Sequence, residues 1–429
     1  MKSNNTLLKP IVILLMMVVL FSGTLQAQHR FPQPEFTKGY TYPQKSHKGP
    51  SSAIWDYIDV GALLIILIAA TFISHKLRKR RYVIILMLVS LTYFGFVRNG
   101  CVCSIGAVQP VIVSLINPKI VIPIGYIIFF ALPLLFALYW GRVFCSGVCP
   151  LGALQDLISI RSIRLPKLIS SVLEMLPPVF LTLAIVSAIT SSDYLICRLD
   201  PFVPLFRLSF GASSIIYSVL WLVTSLFVAR PYCRFLCPYG FLLKLVSSVS
   251  KHKLTISPDK CVTCRLCEKS CPVDAINVPV NHPGITKQGK SRLKLKFLVI
   301  PVLVVAAGFW GYFLAPYLSQ LHQDVRLYGY FQNPDEENKL DREIFLATEN
   351  TIEQLEVRKN RIEEEWVYYA TIFGTILGLL LGLKIVLIET KSTSIEYLPA
   401  KDRCVHCLRC IEYCPVEHDH RKLRKGQSG

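Results

Sequence analysis

Charged residues, and acidic ones above all, are scarce in this sequence. Only 17% of its 429 residues are charged, and 28 Asp and Glu stand against 47 Lys and Arg, a formal net charge of +19. Apolar residues make up 52% of the chain, more than is typical of soluble domains. Scarce charge and abundant apolar side chains together indicate a membrane protein.

Motifs of several common functional classes are missing as well. The chain contains no glycine-rich nucleotide fingerprint, no C-x-x-C-H haem-attachment motif and no pairing of a nucleophile with a general base. Its basic residues stand in short clusters beside apolar runs, so nucleic acid is not an expected partner. We therefore expect no substrate chemistry of the chain's own, although a role as one component of an oxidoreductase system stays open.

The chain does contain 15 cysteines, and many of them lie in two runs of identical spacing. CVTCRLCEKSCP and CVHCLRCIEYCP both follow C-x2-C-x2-C-x3-C-P, the spacing of bacterial ferredoxins, in which the fourth cysteine binds the neighbouring cluster. A zinc site or a disulfide framework fits two such runs less well. The expected ligands are Cys261, Cys264, Cys267 and Cys414 for one 4Fe-4S cluster and Cys404, Cys407, Cys410 and Cys271 for a second.

Another pair of cysteine motifs repeats inside the apolar part of the chain. GRVFCSGVCPLG and ARPYCRFLCPYG share a small residue, an arginine, an aromatic residue, C-x3-C-P and a glycine in register. Cysteines four residues apart lie on one face if the preceding helix continues, and the proline can begin a new helix. Two pairs suffice for a third iron–sulfur cluster; separate sites and buried core cysteines are the alternatives. The candidate ligands are Cys145, Cys149, Cys233 and Cys237.

Three further cysteines are expected on the outer side of the membrane. Each half of the repeat contains an outward span, an external cysteine, an inward span and a C-x3-C-P motif, and parallel repeats pack about an axis along the membrane normal. Corresponding positions would then meet, which brings Cys101, Cys103 and Cys197 together near the outer surface. These thiols either hold a further redox centre with a fourth ligand from elsewhere, form a disulfide that leaves one thiol, or are inert.

The apolar runs predict about seven membrane spans after a signal peptide. Basic clusters beside the spans belong in the cytoplasm, which places the N-terminus outside a bacterial inner membrane and the C-terminus in the cytoplasm. The expected spans are 57–74, 82–98, 119–139, 168–190, 211–229, 297–316 and 366–388.

The predicted fold is an α-helical multi-pass membrane protein with a small α+β two-cluster ferredoxin-like domain in the cytoplasm. An uncleaved first helix is the alternative to the signal peptide, and a partner-docking surface is the alternative to a solvated outer loop. The expected segments are a signal peptide at 1–27, an outer linker at 28–56, a membrane core at 57–250 with repeats near 82–165 and 168–250, ferredoxin halves at 251–296 and 389–429, and an acidic helical outer loop at 317–365 between the last two spans.

The paired C-x3-C-P motifs, the Cys-Arg-Leu-Asp-Pro-Phe segment and the ferredoxin run after them resemble the NosR/NapH type of membrane-bound polyferredoxin, over about residues 82–280. This resemblance implies electron transfer between the quinone pool or a cytoplasmic donor and a periplasmic redox partner. The sequence departs from the family in the displaced second run, in the added Cys-Val-Cys group and in the linker at 28–56, which has no room for a flavin-binding domain. The family's motif positions are Cys145, Cys149, Cys233, Cys237 and the first ferredoxin run.

Three functional classes remain open. The leading hypothesis is an electron conduit with redox partner proteins on one or both sides of the membrane, an extracytoplasmic flavoprotein among them. The alternative is a copper-reducing or assembly factor for a respiratory enzyme, because external thiols bind soft metals. Redox sensing ranks last, since the sequence shows no effector domain.

Overall fold

The computed structural model describes most of the chain between residues 53 and 417. The predicted signal peptide, most of the predicted outer linker and Cys101 lie outside the described residues. The described residues are 53–100, 103–116, 122–160, 163, 165–190, 194–207, 212–252, 254–256, 261–277, 279, 287–335, 338–347, 351–389 and 397–417. In chain order the elements are α1 Ala53–Phe72, α2 Arg80–Ser90, α3 Val108–Ile116, α4 Ile124–Trp140, α5 Val143–Gly147, α6 Pro150–Ile158, α7 Lys167–Leu173, α8 Leu176–Ile189, α9 Leu195–Arg198, α10 Val203–Arg207, α11 Ala212–Phe227, α12 Pro231–Phe235, α13 Pro238–Ser248, α14 Leu266–Ser270, β1 Ile276–Asn277, α15 Lys287–Leu318, α16 Gln323–Gln332, α17 Lys339–Ala347, α18 Ile352–Glu389, β2 Leu398–Pro399 and α19 Arg409–Glu412.

Within this described part, five helical stretches are long and apolar enough to cross a membrane. Each of them overlaps one of the predicted spans. They are Ile54–Leu77, Arg80–Val97, Ile169–Ile189, Val299–Leu321 and Ile352–Leu383.

The two remaining predicted spans, 119–139 and 211–229, correspond to the shorter helices α4 and α11. These helices have 17 and 16 residues. At 1.5 Å per residue they are about 24–26 Å long, shorter than a hydrocarbon core of about 30 Å. A total of seven crossings therefore requires both short helices to span the membrane.

Each C-x3-C-P motif lies where a helix is interrupted. Helix α4 ends at Trp140, before Gly141, whose φ of +71° is in the left-handed region that glycine tolerates, and α6 begins at Pro150. In the second motif Arg230 has a φ of 52°, and α13 begins at Pro238. The prolines begin new helices as predicted, because proline fits the first helical turn. The preceding helix does not continue through both cysteines, so the first thiol of each pair lies in a short helix and the second precedes the next helix.

Helices α15 and α18 pack side by side as a hairpin with closely spaced backbones. A Cβ atom at Gly374 would lie 2.6 Å from the carbonyl oxygen of Ala307, and one at Gly308 would lie 2.6 Å from Cγ2 of Thr375. Small residues allow this approach, which favours van der Waals packing between membrane helices. With 38 residues, α18 is about 57 Å long and so continues beyond the membrane, where Trp366 packs near Val325 of α16.

The two ferredoxin runs join in one small domain although the α15–α18 hairpin separates them in sequence. Strand β1 follows the first run and pairs antiparallel with β2, which precedes the second, with Ile276 opposite Pro399. Both loops use left-handed backbone at the same two positions, Thr263 and Arg265 in the first and His406 and Leu408 in the second. The equivalent conformations make the runs two copies of one loop structure.

Candidate iron–sulfur sites and the contacts between them

Four thiols from both ferredoxin runs line one recess. Its walls include Cys261, Cys264, Cys267 and, from the second run, Cys414. The pKa of Cys267 is raised to about 11, mainly by burial and also by the neighbouring Cys261, Cys414 and Cys264. Cys261 and Cys264 are exposed, so this group of thiols lies on the solvent side of the domain.

The other four ferredoxin thiols form a second, more buried group. Burial raises the pKa of Cys404 to about 12, and both Cys407 and Cys271 interact electrostatically with it. Cys410 is 7% exposed and interacts with the same three thiols. The fourth cysteine of each run therefore lies with the first three cysteines of the other run.

The four thiols of the C-x3-C-P motifs also lie together. Cys149 interacts electrostatically with Cys233 and Cys145, and Cys237 interacts with the same two. The amide of Gly240 donates a hydrogen bond of 3.2 Å to Sγ of Cys237 at the start of α13. Helix N-termini carry partial positive charge, which suits a thiolate or an anionic cluster.

Glycine after each proline keeps space beside these thiols. A Cβ at Gly152 would lie 3.0 Å from the carbonyl oxygen of Cys145, and one at Gly240 would lie 3.1 Å from that of Cys233. Both distances are shorter than ordinary contacts, so a larger residue would push the first cysteine of each motif away. This packing explains the glycine that recurs in both motifs.

Gln155 and Asp156, which follow the first motif on α6, are functional candidates that sequence reasoning missed. Gln155 Nε2 lies 3.4 Å from Sγ of Cys233, and its Oε1 accepts a 3.2 Å hydrogen bond from the amide of Tyr232. One side chain of the first repeat thus orients the second motif. The sequence signal that could have identified them is a pair of adjacent polar residues in an otherwise apolar helix.

The donor set fits iron–sulfur chemistry. Each of the three groups offers four thiols, the ligand set of a 4Fe-4S cluster. In the described part of the chain, Nε of Arg142 and Nε of Arg230 are buried without a hydrogen-bond partner, which suits an anionic group between the motifs. Among those same residues, no three His, Cys, Asp or Glu side chains already converge as a site for a single metal ion.

Two of the three predicted outer cysteines can be described, and they are neighbours. A Cβ at Gly106 would lie 3.4 Å from Sγ of Cys197 and 3.8 Å from the carbonyl oxygen of Cys103. Gln109 joins the two halves of the repeat here, since its Oε1 accepts a 2.9 Å hydrogen bond from the amide of Ile196. Cys101, the third predicted member, lies outside the described residues.

This outer pair is close to the C-x3-C-P motifs and is not separated from them by a full membrane thickness. The rings of Phe202 and Tyr232 pack edge to face with centroids 5.7 Å apart. Cys103 interacts electrostatically with both Cys149 and Cys237. The segments with Cys103 and Cys197 therefore lie closer to the C-x3-C-P thiols than the thickness of a hydrocarbon core, which is about 30 Å.

Comparison with known proteins points in the same direction. Two families described as "4Fe-4S binding domain" match residues 121–167 and 210–257, around the C-x3-C-P motifs, and residues 254–277, around the first ferredoxin run. The uncharacterized protein MJ0750 of Methanocaldococcus jannaschii is 30% identical over 190 residues, which are 42% of this chain and 77% of that protein.

Relatives with functional names are matched over smaller parts of their length. YccM of Escherichia coli, whose name assigns it to electron transport, is 30% identical over 150 residues, 30% of this chain and 41% of YccM. The regulatory protein NosR of Pseudomonas aeruginosa is 27% identical over 236 residues, 50% of this chain and 33% of NosR. No solved structure matches the chain.

Proposed function

Because this chain belongs to the NosR/NapH-type membrane-bound polyferredoxins, we propose that it conducts electrons between a cytoplasmic or quinone-pool donor and a redox partner outside the membrane. Iron–sulfur electron transfer is the class of function. The two ends of the conduit, their partner proteins and the ligands of each centre are the proposal.

The proposed centres follow the grouping of the thiols. Bound clusters would supply one-electron carriers, and the chain supplies their ligands and surroundings. We assign Cys103 and Cys197, with Cys101, to an outer exchange site. The proposed ligands are Cys261, Cys264, Cys267 and Cys414 for the first 4Fe-4S cluster, Cys404, Cys407, Cys410 and Cys271 for the second, and Cys145, Cys149, Cys233 and Cys237 for the third.

The proposal depends most on contacts that connect the segments carrying these groups. Nη1 of Arg142, in the first C-x3-C-P motif, donates a 3.3 Å hydrogen bond to the carbonyl of Asp402, just before the second ferredoxin run. In the second motif, Tyr232 contacts Phe202 of the predicted outer segment. These contacts connect the ferredoxin domain, the C-x3-C-P motifs and the segment that follows Cys197.

The proposed orientation places the ferredoxin domain in the cytoplasm of a bacterium, with the N-terminus outside. It is supported by the basic segment after the first span, which contacts the second ferredoxin run. Arg78 pairs with Glu417 at 3.4 Å, and Arg80 pairs with Glu412 at 3.4 Å. Basic segments beside membrane spans face the cytoplasm.

The test is electron transfer across a vesicle membrane. Purified protein is inserted with its ferredoxin domain outward, dithionite is added outside, and ferricyanide is enclosed as the acceptor on the other side. We expect rapid loss of the ferricyanide absorbance with the unaltered protein. Cys197→Ser should remove most of this rate while leaving the cytoplasmic cluster spectra unchanged, and Leu199→Ser, a control just after the same short helix, should retain it.

Iron analysis and thiol labelling of Cys197→Ser then identify the outer site. A fall in iron content indicates ligation there, whereas unchanged iron with a newly labelled thiol indicates a disulfide. Unchanged transfer in Cys197→Ser would contradict the proposed exit. Copper binding that requires Cys103 and Cys197, without transfer across the membrane, would instead favour the metal-handling function.

A further inference from the structure

The arginines that recur in the two C-x3-C-P motifs are both directed at the second ferredoxin run. Arg142 donates to the backbone of Asp402, as described above, and its Nη2 lies 3.8 Å from Sγ of Cys145. Arg230 is 1% exposed, and its Nη1 donates a 2.5 Å hydrogen bond to the carbonyl of Cys145. Both guanidinium groups therefore lie between the motif thiols and the ferredoxin domain.

Asp156 connects Arg230 to the second run itself. Its Oδ1 accepts a 3.0 Å hydrogen bond from Nη2 of Arg409, the residue before Cys410, and its Oδ2 lies 3.5 Å from Nη2 of Arg230. Asp156 is 7% exposed, and Arg230 also interacts electrostatically with Cys407. A buried carboxylate held by two arginines thus stands between two of the thiol groups.

The first run is connected to the motifs at its end, where Oδ2 of Asp274, three residues after Cys271, lies 3.7 Å from Nη2 of Arg234 in the second motif. Arg265, one position earlier in the loop than the equivalent of Arg409, has a side chain 62% exposed and pairs with Glu268 of its own loop. The exposed cysteines Cys261 and Cys264 belong to this half. The two runs are near copies in sequence, and the ion pairs to the C-x3-C-P motifs involve the second run and the end of the first, where Cys271 lies with the second-run thiols.

We propose that Arg230, Asp156 and Arg409 form an electrostatic bridge that holds the second run against the C-x3-C-P thiols and sets the reduction potentials of the centres on its two sides. The second run is then the route between the ferredoxin domain and the membrane, and the exposed first-run group is where a soluble donor reacts. This inference rests on the proposed iron–sulfur centres, and it assigns their order and the residues that couple them.

Charge determines the sign of the expected effect. A reduced centre carries one more negative charge than the oxidised centre, so a nearby cation stabilises the reduced form and a nearby anion destabilises it. The interaction is strong where both partners are buried, because the effective dielectric constant is low. Removing a guanidinium group should lower the reduction potential, and removing the carboxylate should raise it.

The experiment is a potentiometric titration, followed by EPR, of anaerobically purified full-length protein. Arg409→Gln should lower the potential of the second-run centre, Asp156→Asn should raise it together with that of the C-x3-C-P centre, and Arg409→Lys should restore most of the change. Arg265→Gln is the matched control and should leave the second-run and C-x3-C-P potentials unchanged. If the contact were purely structural, Arg409→Gln and Asp156→Asn would shift the reduction potential of the second-run centre in the same direction. That outcome would overturn the proposal.

Poor folding of a single variant can be separated from a change in charge. Asp156→Glu keeps a carboxylate between Arg230 and Arg409, so it should retain the docking that Asp156→Asn weakens. Limited proteolysis between the hairpin and the second run measures that docking without any redox readout. A further outcome is that Arg409→Gln and Asp156→Asn shift the reduction potentials in opposite directions in a protein that transfers no electrons across vesicle membranes. That result would support the electrostatic bridge and contradict the proposed electron conduit.

Discussion

Single cysteines decide which thiols share a centre. Cys414 ends the second run but lines the recess formed by Cys261, Cys264 and Cys267. Cys271 ends the first run but interacts with Cys404 and Cys407. In each run the first three cysteines therefore lie together, and the fourth lies with the first three cysteines of the other run.

Replacing these two cysteines therefore has crossed consequences. We expect Cys414→Ser to alter the EPR signal of the centre held by the first run, because its fourth ligand is lost. Cys271→Ser is the matched control and should alter the second-run centre. If Cys414→Ser changes only the second-run signal, the exchange of ligands is wrong.

At the scale of elements, the glycine face between α15 and α18 determines how the second ferredoxin run returns to the first. The hairpin lies between the two runs in sequence, and β2 is the next described element after it. Close backbone packing keeps the two long helices in one relative position. A larger residue that separates the two helices would therefore loosen the position of the second run relative to the first.

Gly374→Ala should destabilise the protein because the added methyl group meets the Ala307 carbonyl. Overpacking of this kind costs about 1–3 kcal/mol. Gly329→Ala is the control, since it also replaces a helical glycine but has nothing within 4 Å of the new Cβ. Thermal unfolding in one detergent compares the two. Equal melting temperatures for Gly374→Ala and the unaltered protein would contradict the close hairpin.

For the whole molecule, one side gathers the ferredoxin domain, the C-x3-C-P motifs and the basic segment after the first span. The larger of two apolar clusters among the described residues joins membrane helices to the ferredoxin domain, where it includes Leu254, Val405 and Leu408. Backbone contact strengthens the junction, since the amide of His252 donates a 2.8 Å hydrogen bond to the carbonyl of Tyr139. The ferredoxin domain is therefore part of the membrane core's packing.

This arrangement predicts the sidedness of the chain. Reporter fusions at Lys251 and after Gly429 should be active as cytoplasmic reporters, and a fusion at Gln332, on α16, should be active as an outer reporter. Paired reporters that work only on opposite sides of the membrane make the measurement. A cytoplasmic result at Gln332 would remove the last hairpin and require another path between the two runs.

The sequence by itself determined the family, the helical membrane class and the iron–sulfur chemistry, because thiol spacing, apolar length and basic clusters are local properties of the chain. The resemblance to NosR/NapH-type polyferredoxins is confirmed by the relatives and by the 4Fe-4S matches. Helix interruption at the C-x3-C-P motifs, the inward fold of Cys103 and Cys197, and the contact of Arg409 with Asp156 were decided only by tertiary structure. Each of these three features depends on packing between segments that are far apart in sequence. A local sequence pattern does not indicate which distant segment will pack against it.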